Sequence, residues 1–111
     1  MTTAAFTTRG ARIESVSLRG HAGLAQAGQD VLCAALTSAI RLTECAVNDV
    51  LGIGAAVRVQ EKDASVSLKL PGSLGEPDEA VCQSLMAGLM VYLTELSEEY
   101  PQYLTVINTE V

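Results

Sequence analysis

Thr2 to Thr8 is rich in β-favouring threonine around Phe6, Arg9-Gly10 punctuates, and Ile13 to Arg19 alternates about Val16 and Leu18. This pattern predicts a hairpin over the first twenty residues. From Asp30 the period changes: Val31, Leu32, Ala34, Ala35, Leu36, Ile40, Leu42, Val47, Val50 and Leu51 follow helical spacing, with Asp30 placed to cap and Gly52 to close. The first turns are apolar nearly all round, so they need cover from a sheet and a second helix, or from a partner subunit. Val57 and Val59 then alternate with Arg58 and Gln60, and Val66, Leu68 and Leu70 with Ser65, Ser67 and Lys69, about a turn at Lys62-Asp63. Pro71 to Pro77 reads as a loop, and Pro77 suits the start of a second helix with Asp78 and Glu79 in its first turn. Val81, Leu85, Leu89, Tyr92, Leu96 and Tyr100 form its expected buried stripe; Pro101 ends it, and Leu104 to Asn108 reads as a strand. The order ββαββαβ predicts an α+β two-layer sandwich, two helices on one face of a mostly antiparallel sheet, in a single domain over residues 1–111.

Composition narrows the class. With 49% hydrophobic and 18% charged residues the chain is too apolar for a disordered tail. No run approaches the roughly 18 unbroken apolar residues of a membrane span, and Met1 to Gly10 lacks a leader pattern, so a cytoplasmic protein without a membrane partner is expected. Residues 1–69 hold all seven basic side chains against six acids, while residues 70–111 hold seven acids and no base. That distribution has no basic run of the kind nucleic-acid binders carry, and no nucleic-acid partner is expected. The acidic C-terminal third either solvates the surface or faces a basic partner.

The three cysteines, Cys33, Cys45 and Cys82, do not suggest a disulfide framework. On one helix, Cys33 and Cys45 would stand roughly 18 Å apart, too far to bridge or to share a metal. One histidine and no C-x-x-C make zinc a poor fit, and no cofactor is called for. Cys45 and Cys82 are assigned to the core, as are Met86 and Met90.

The informative segment runs from Gly20-His21-Ala22 to Cys33-Ala34-Ala35. It sets the sole histidine at a strand end and a cysteine in the first turn of the next helix, so the two can meet at one edge of the sheet. A helix start and an imidazolium both favour a thiolate, the nucleophilic form of cysteine. The Cys33 and Ala34 amides are then candidate oxyanion donors. The plainer alternative makes Cys33 a core filler and Asp30 only a cap.

Gly20-His21-Ala22 followed by Gly28-x-Asp30-Val31-Leu32-Cys33-Ala34-Ala35, with the ββαββαβ order and the Tyr100-Pro101 ending of the second helix, resembles the bacterial ribosomal-processing cysteine proteases called Prp. The resemblance implies a homodimeric cysteine endopeptidase that trims an N-terminal extension from large-subunit ribosomal protein number twenty-seven, a basic protein, after an aromatic-rich stretch. It makes Cys33 the nucleophile, His21 the general base, and Asp30 an acidic neighbour. Thr37 falls where the family commonly has serine, and Leu24 where many members have an aromatic. Residues 22–29 resemble the family's mobile loop, with Gly23 and Gly28 as hinges. A noncatalytic dimeric ribosome-associated binding module is the competing class. A thiol sensor would need a resolving thiol near Cys33, and none lies nearby in the sequence.

Overall fold

The computed structural model describes residues 1–20, 27–60 and 65–111. Strands β1 (Thr2–Arg9) and β2 (Arg12–Arg19) precede helix α1 (Ala27–Glu44), which continues into a wider π-type turn at Cys45–Val50. Strands β3 (Ala56–Gln60) and β4 (Ser65–Lys69), helix α2 (Asp78–Glu99) and strand β5 (Leu104–Glu110) complete the order. The strands form one sheet, β3-β4-β2-β1-β5. Every neighbouring pair is antiparallel except β1 and β5, which run parallel, with α2 in the connection that leads into β5. The expected α+β two-layer architecture is therefore the observed one.

Cross-strand register explains why one face of the sheet is dry. Val57, Leu68, Val16 and Phe6 fall in one row, and Val59, Val66, Leu18, Ala4 and Val106 in the next. Phe6, Val16, Leu68 and Ala4 are fully buried. Each of the larger side chains among them contributes about 1.5–3 kcal/mol of hydrophobic stabilisation. The register shifts between Thr7 and Thr8, where a bulge at Glu14 returns Ile13 to the buried face. Leu32, Leu36, Ile40 and Val47 of the first helical segment close over these rows, beside Cys82, Met86, Leu89, Leu93 and Leu96 of α2. By length and composition Val31–Val50 and Asp78–Glu99 are apolar enough to cross a membrane. Here one stripe of each lies in the core, and the outward faces leave Val31, Leu42, Val91 and Tyr92 exposed.

Two expectations about burial change. Part of the α2 stripe is rotated by about one residue: Val81 and Tyr92 are 41% and 45% exposed and Leu93 is buried, while Leu89, Leu96, Cys82 and Met86 are buried as expected. Apolar residues on several sides leave the rotation to polar contacts at the first turns. Arg12 forks onto Glu79, donating from Nε at 2.8 Å and from its terminal nitrogen at 3.2 Å, and also donates to the Pro71 carbonyl at 2.7 Å. Gln83 accepts from the Ile13 N–H at 2.8 Å and donates to the Ile13 carbonyl at 2.9 Å, as a neighbouring strand would. Cys45, expected in the core, is exposed. The buried positions around it are Thr43 and Val47, which turns Cys45 to the other side of the helical segment. Beyond it, Asn48 accepts from the Ala55 N–H at 2.6 Å and donates to the Ala55 carbonyl at 3.1 Å, tying the connection that leads into β3.

Candidate active site

Gly20 lies at the end of β2 with φ of 84°. A Cβ at this position would stand 2.7 Å from the Met1 carbonyl oxygen, so glycine alone lets the chain leave the strand against the start of β1. His21 is the next residue. It lies outside the described residues with Gly23 and Leu24, as does the turn at Lys62-Asp63.

On α1, Cys33, Thr37 and Arg41 recur every four residues and share one face. They line a pocket of about 330 Å³ with Gly20 and Thr2. Its walls are Leu18 and Leu36 from the core, Val66 of β4 and Val59 of β3, and Gln60 and Ser65 stand at the hairpin end. An apolar pocket of this size with a few polar groups takes a side chain or a short peptide segment. Cys33 is half-buried there. Of the other thiols, Cys45 is exposed outside the pocket, and burial pushes the Cys82 thiol up from its ordinary value of 9.0, with Asp78 and Glu79 adding to the effect. A raised thiol in the core is inert as a nucleophile. Arg41 forms an ion pair with Glu44 at 3.3 Å and leaves 67% of its side chain exposed.

The start of α1 differs from expectation. The described part of the helix runs from Ala27, so Gly28 belongs to it instead of to a loop, and Asp30 lies within it instead of capping it. Cys33 therefore falls past the first turn. A helix leaves only its first four N–H groups unpaired, so the Cys33 and Ala34 amides are engaged within α1 and cannot serve as free oxyanion donors. Sequence reasoning also missed Arg41 and the β3–β4 wall. Arg41 was accessible through spacing, eight residues from Cys33, whereas Val59 and Val66 reach the pocket only through the pairing of β4 with β2.

A cysteine over an apolar cleft, at the strand end that precedes the chain's only histidine in the sequence, makes this pocket the candidate site of a thiol-dependent hydrolase. The family model described as "Cysteine protease Prp" matches residues 1–105. The chain belongs to the cysteine protease Prp family and is a cysteine protease. It is 29% identical to the ribosomal processing cysteine protease Prp of Bacillus subtilis (strain 168) over 94 residues, 85% of this chain and 84% of the relative. A crystal structure of a Streptococcus mutans protein matches with a TM-score of 0.87 at 27% identity, over 100% of this chain and 96% of the other. The essential ribosomal processing protease Prp of S. aureus, in complex with a substrate peptide, shares the fold with a TM-score of 0.83 at 15% identity, over 98% and 100%.

Proposed function

We propose that this protease works in the cytoplasm as a homodimer and removes the N-terminal extension of large-subunit ribosomal protein number twenty-seven, cutting after an aromatic-rich stretch. The observation that carries the reading is that Cys33 and Gly20, the residue before His21, line one apolar pocket. Leu18, Leu36, Val59 and Val66 suit an aromatic side chain of the substrate. The ribosomal-processing role of the B. subtilis relative supports the choice of target.

In the proposed reaction, His21 accepts the Cys33 proton and the thiolate attacks the carbonyl carbon of the scissile bond. The C–N bond breaks as the tetrahedral intermediate collapses, and His21 returns the proton to the leaving amine. Water, deprotonated by His21, then releases the acyl group and regenerates the thiol. A helix start supplies backbone N–H groups of the kind that hold an oxyanion. Asp30 is the acidic neighbour assigned to favour the His21 imidazolium. Thr37, one turn beyond Cys33, lies on the pocket face and offers its hydroxyl to the bound chain.

Support for a homodimer comes from the outward face of the helix layer. There a groove of about 630 Å³ runs between α1 and α2, with Ala35, Ser38, Leu42, Leu85, Gly88 and Tyr92 along it. Small side chains beside exposed Leu42 and Tyr92 let a second helix pair approach closely.

The test is incubation with a peptide copying the host's extended ribosomal-protein N-terminus, comparing the native protein with Cys33→Ala and His21→Ala. Cleavage by the native protein alone is expected. Cleavage that persists in Cys33→Ala overturns the assignment, and an intact peptide beside a cleaved unrelated aromatic peptide overturns the proposed target.

A further inference from the structure

The side of the sheet turned away from the helices has no part in the site. Along each strand its positions alternate with the buried ones, and β1, β2 and β4 place Thr3, Thr7, Ser15, Ser17 and Ser67 there. Arg9, which Glu14 holds at 3.3 Å, and three further cations share this face. Arg19 pairs in register with Thr3, Arg58 with Ser67, and Lys69 with Ser15. All three are exposed, and among the described residues none has an ion-pair partner. Arg58 and Lys69 are diagonal neighbours on adjacent strands, roughly 7–8 Å apart, and Arg19 stands roughly 12 Å from Arg58 across the sheet.

No acidic residue of the described strands points the same way. Glu110 is in register with buried Thr8 and so belongs to the helix side, and Glu14 at the bulge is held by Arg9 and Arg12, each at 3.3 Å. Glu95, Glu98 and Glu99 lie on α2, across the sheet from the cations. A chain of net charge −6 thus carries a cationic face that the linear sequence conceals, because Arg19, Arg58 and Lys69 are far apart in it.

We propose that this outward face binds the phosphate backbone of RNA, with Arg19, Arg58 and Lys69 contacting phosphates and the serine and threonine hydroxyls completing the contacts. Arginine, lysine and hydroxyl side chains are the groups that contact phosphate without reading sequence. Among the described residues the face has no aromatic side chain for stacking bases, so the binding is independent of sequence. An acidic protein partner fits less well, because a protein interface needs buried apolar or aromatic anchors, and among the described residues Ile107, near the edge, is the one large apolar side chain of this face. The choice of RNA among polyanions rests on the ribosomal-processing reading. The face would hold the protease on a ribosomal particle while the pocket at Cys33 takes the peptide.

The experiment is fluorescence anisotropy of a labelled single-stranded RNA across a salt series, with an equal-length DNA strand and polyglutamate as competitors. Three phosphate contacts predict a log–log salt slope near −2, about a twentyfold loss of affinity between 50 and 200 mM salt. Each of Arg19→Gln, Arg58→Gln and Lys69→Gln should weaken binding severalfold and flatten the slope by about 0.7. Arg41→Gln, with the same charge change on α1 across the sheet, should bind RNA as the native protein does. The proposal is overturned if native protein fails to bind RNA at 50 mM salt, if the triple variant binds as well as native, if Arg41→Gln weakens binding equally, or if DNA or polyglutamate displaces RNA more effectively than RNA itself. Cleavage of a short peptide by the triple variant is measured in parallel. Retained cleavage with lost RNA binding is the expected result; if native protein cleaves no such peptide, the proposed function fails, and the anisotropy series still decides the RNA proposal.

Discussion

Replacing Gly20 with alanine perturbs the site through the backbone alone. At φ of 84° an L residue is strained by about 1–2 kcal/mol. The new Cβ also meets the Met1 carbonyl oxygen at 2.7 Å, and since that oxygen is backbone, β1 and the end of β2 must separate. Gly10, at the turn between the same strands, provides the control. Its φ is 59°, but a Cβ there meets nothing within 4 Å. Gly10→Ala should therefore lower stability by about 1 kcal/mol, and Gly20→Ala by about 2–3 kcal/mol, by urea unfolding. Against a typical total of about 5–15 kcal/mol, both variants remain folded at assay temperature. Gly20 is next to His21 and lines the pocket of Cys33, so a shift there also displaces the proposed general base relative to the thiol. Misplacement by about 1 Å is worth about a hundredfold in rate, and kcat/KM of Gly20→Ala should fall tenfold or more while that of Gly10→Ala stays near native. Equal effects of the two substitutions on both stability and kcat/KM would refute the reasoning.

The Arg12–Glu79 fork joins the start of α2 to the first hairpin with side chains only 16% and 24% exposed, and Glu79→Gln should lower stability by about 1–3 kcal/mol in urea without changing KM; an unchanged midpoint would show that the fork is not what fixes this contact. Thiol reagent should modify Cys33 and Cys45 in native protein and Cys82 only on unfolding, and prompt reaction of all three would contradict the packing of α2. Because burial raises the Cys82 pKa, the unfolded chain loses that proton first; the resulting contribution to stability is intact below pH 9 and declines as pH rises through the higher folded value, so native protein should lose more stability on going above pH 9 than Cys82→Ala does. An identical decline in both would contradict it. Glu95→Gln with Glu98→Gln should slow cleavage of a basic peptide at low salt and leave it unchanged at high salt, since the Thr2 N–H donates to the Tyr103 carbonyl just past α2 and sets that end of the molecule near the pocket; a rate insensitive to both substitutions would remove the electrostatic role.

Threonine richness around Phe6 was enough to read β1, alternation to read β2, β3 and β4, helical spacing to read both helices, and the segment after Pro101 to read β5. Register between distant strands was not readable. The parallel pairing of β5 with β1 and the antiparallel pairing of β4 with β2 depend on how two helices pack, and no local signal encodes that. The rotation of α2 was misread for a related reason: Val81, Tyr92 and Leu85 are as apolar as Cys82, Met86 and Leu93, and the choice between them falls to Arg12 and Gln83. Cys45 follows suit, a thiol in an apolar run that the neighbouring burial of Thr43 and Val47 leaves outside. At the site, the face shared by Cys33 and Thr37 was legible from helical spacing. That the helix includes Ala27-Gly28-Gln29 was not, since this stretch carries no strong signal and Asp30 is equally acceptable as a cap or inside the helix.

The most direct measurement is mass spectrometry of the protein acid-quenched during turnover of an aromatic-containing peptide, with the modified residue located by digestion. An acyl adduct on Cys33 is predicted, present with Cys45→Ala and absent with Cys33→Ala. Cleavage without an adduct on Cys33, or an adduct carried by Cys45, would contradict the assignment of Cys33 as the nucleophile.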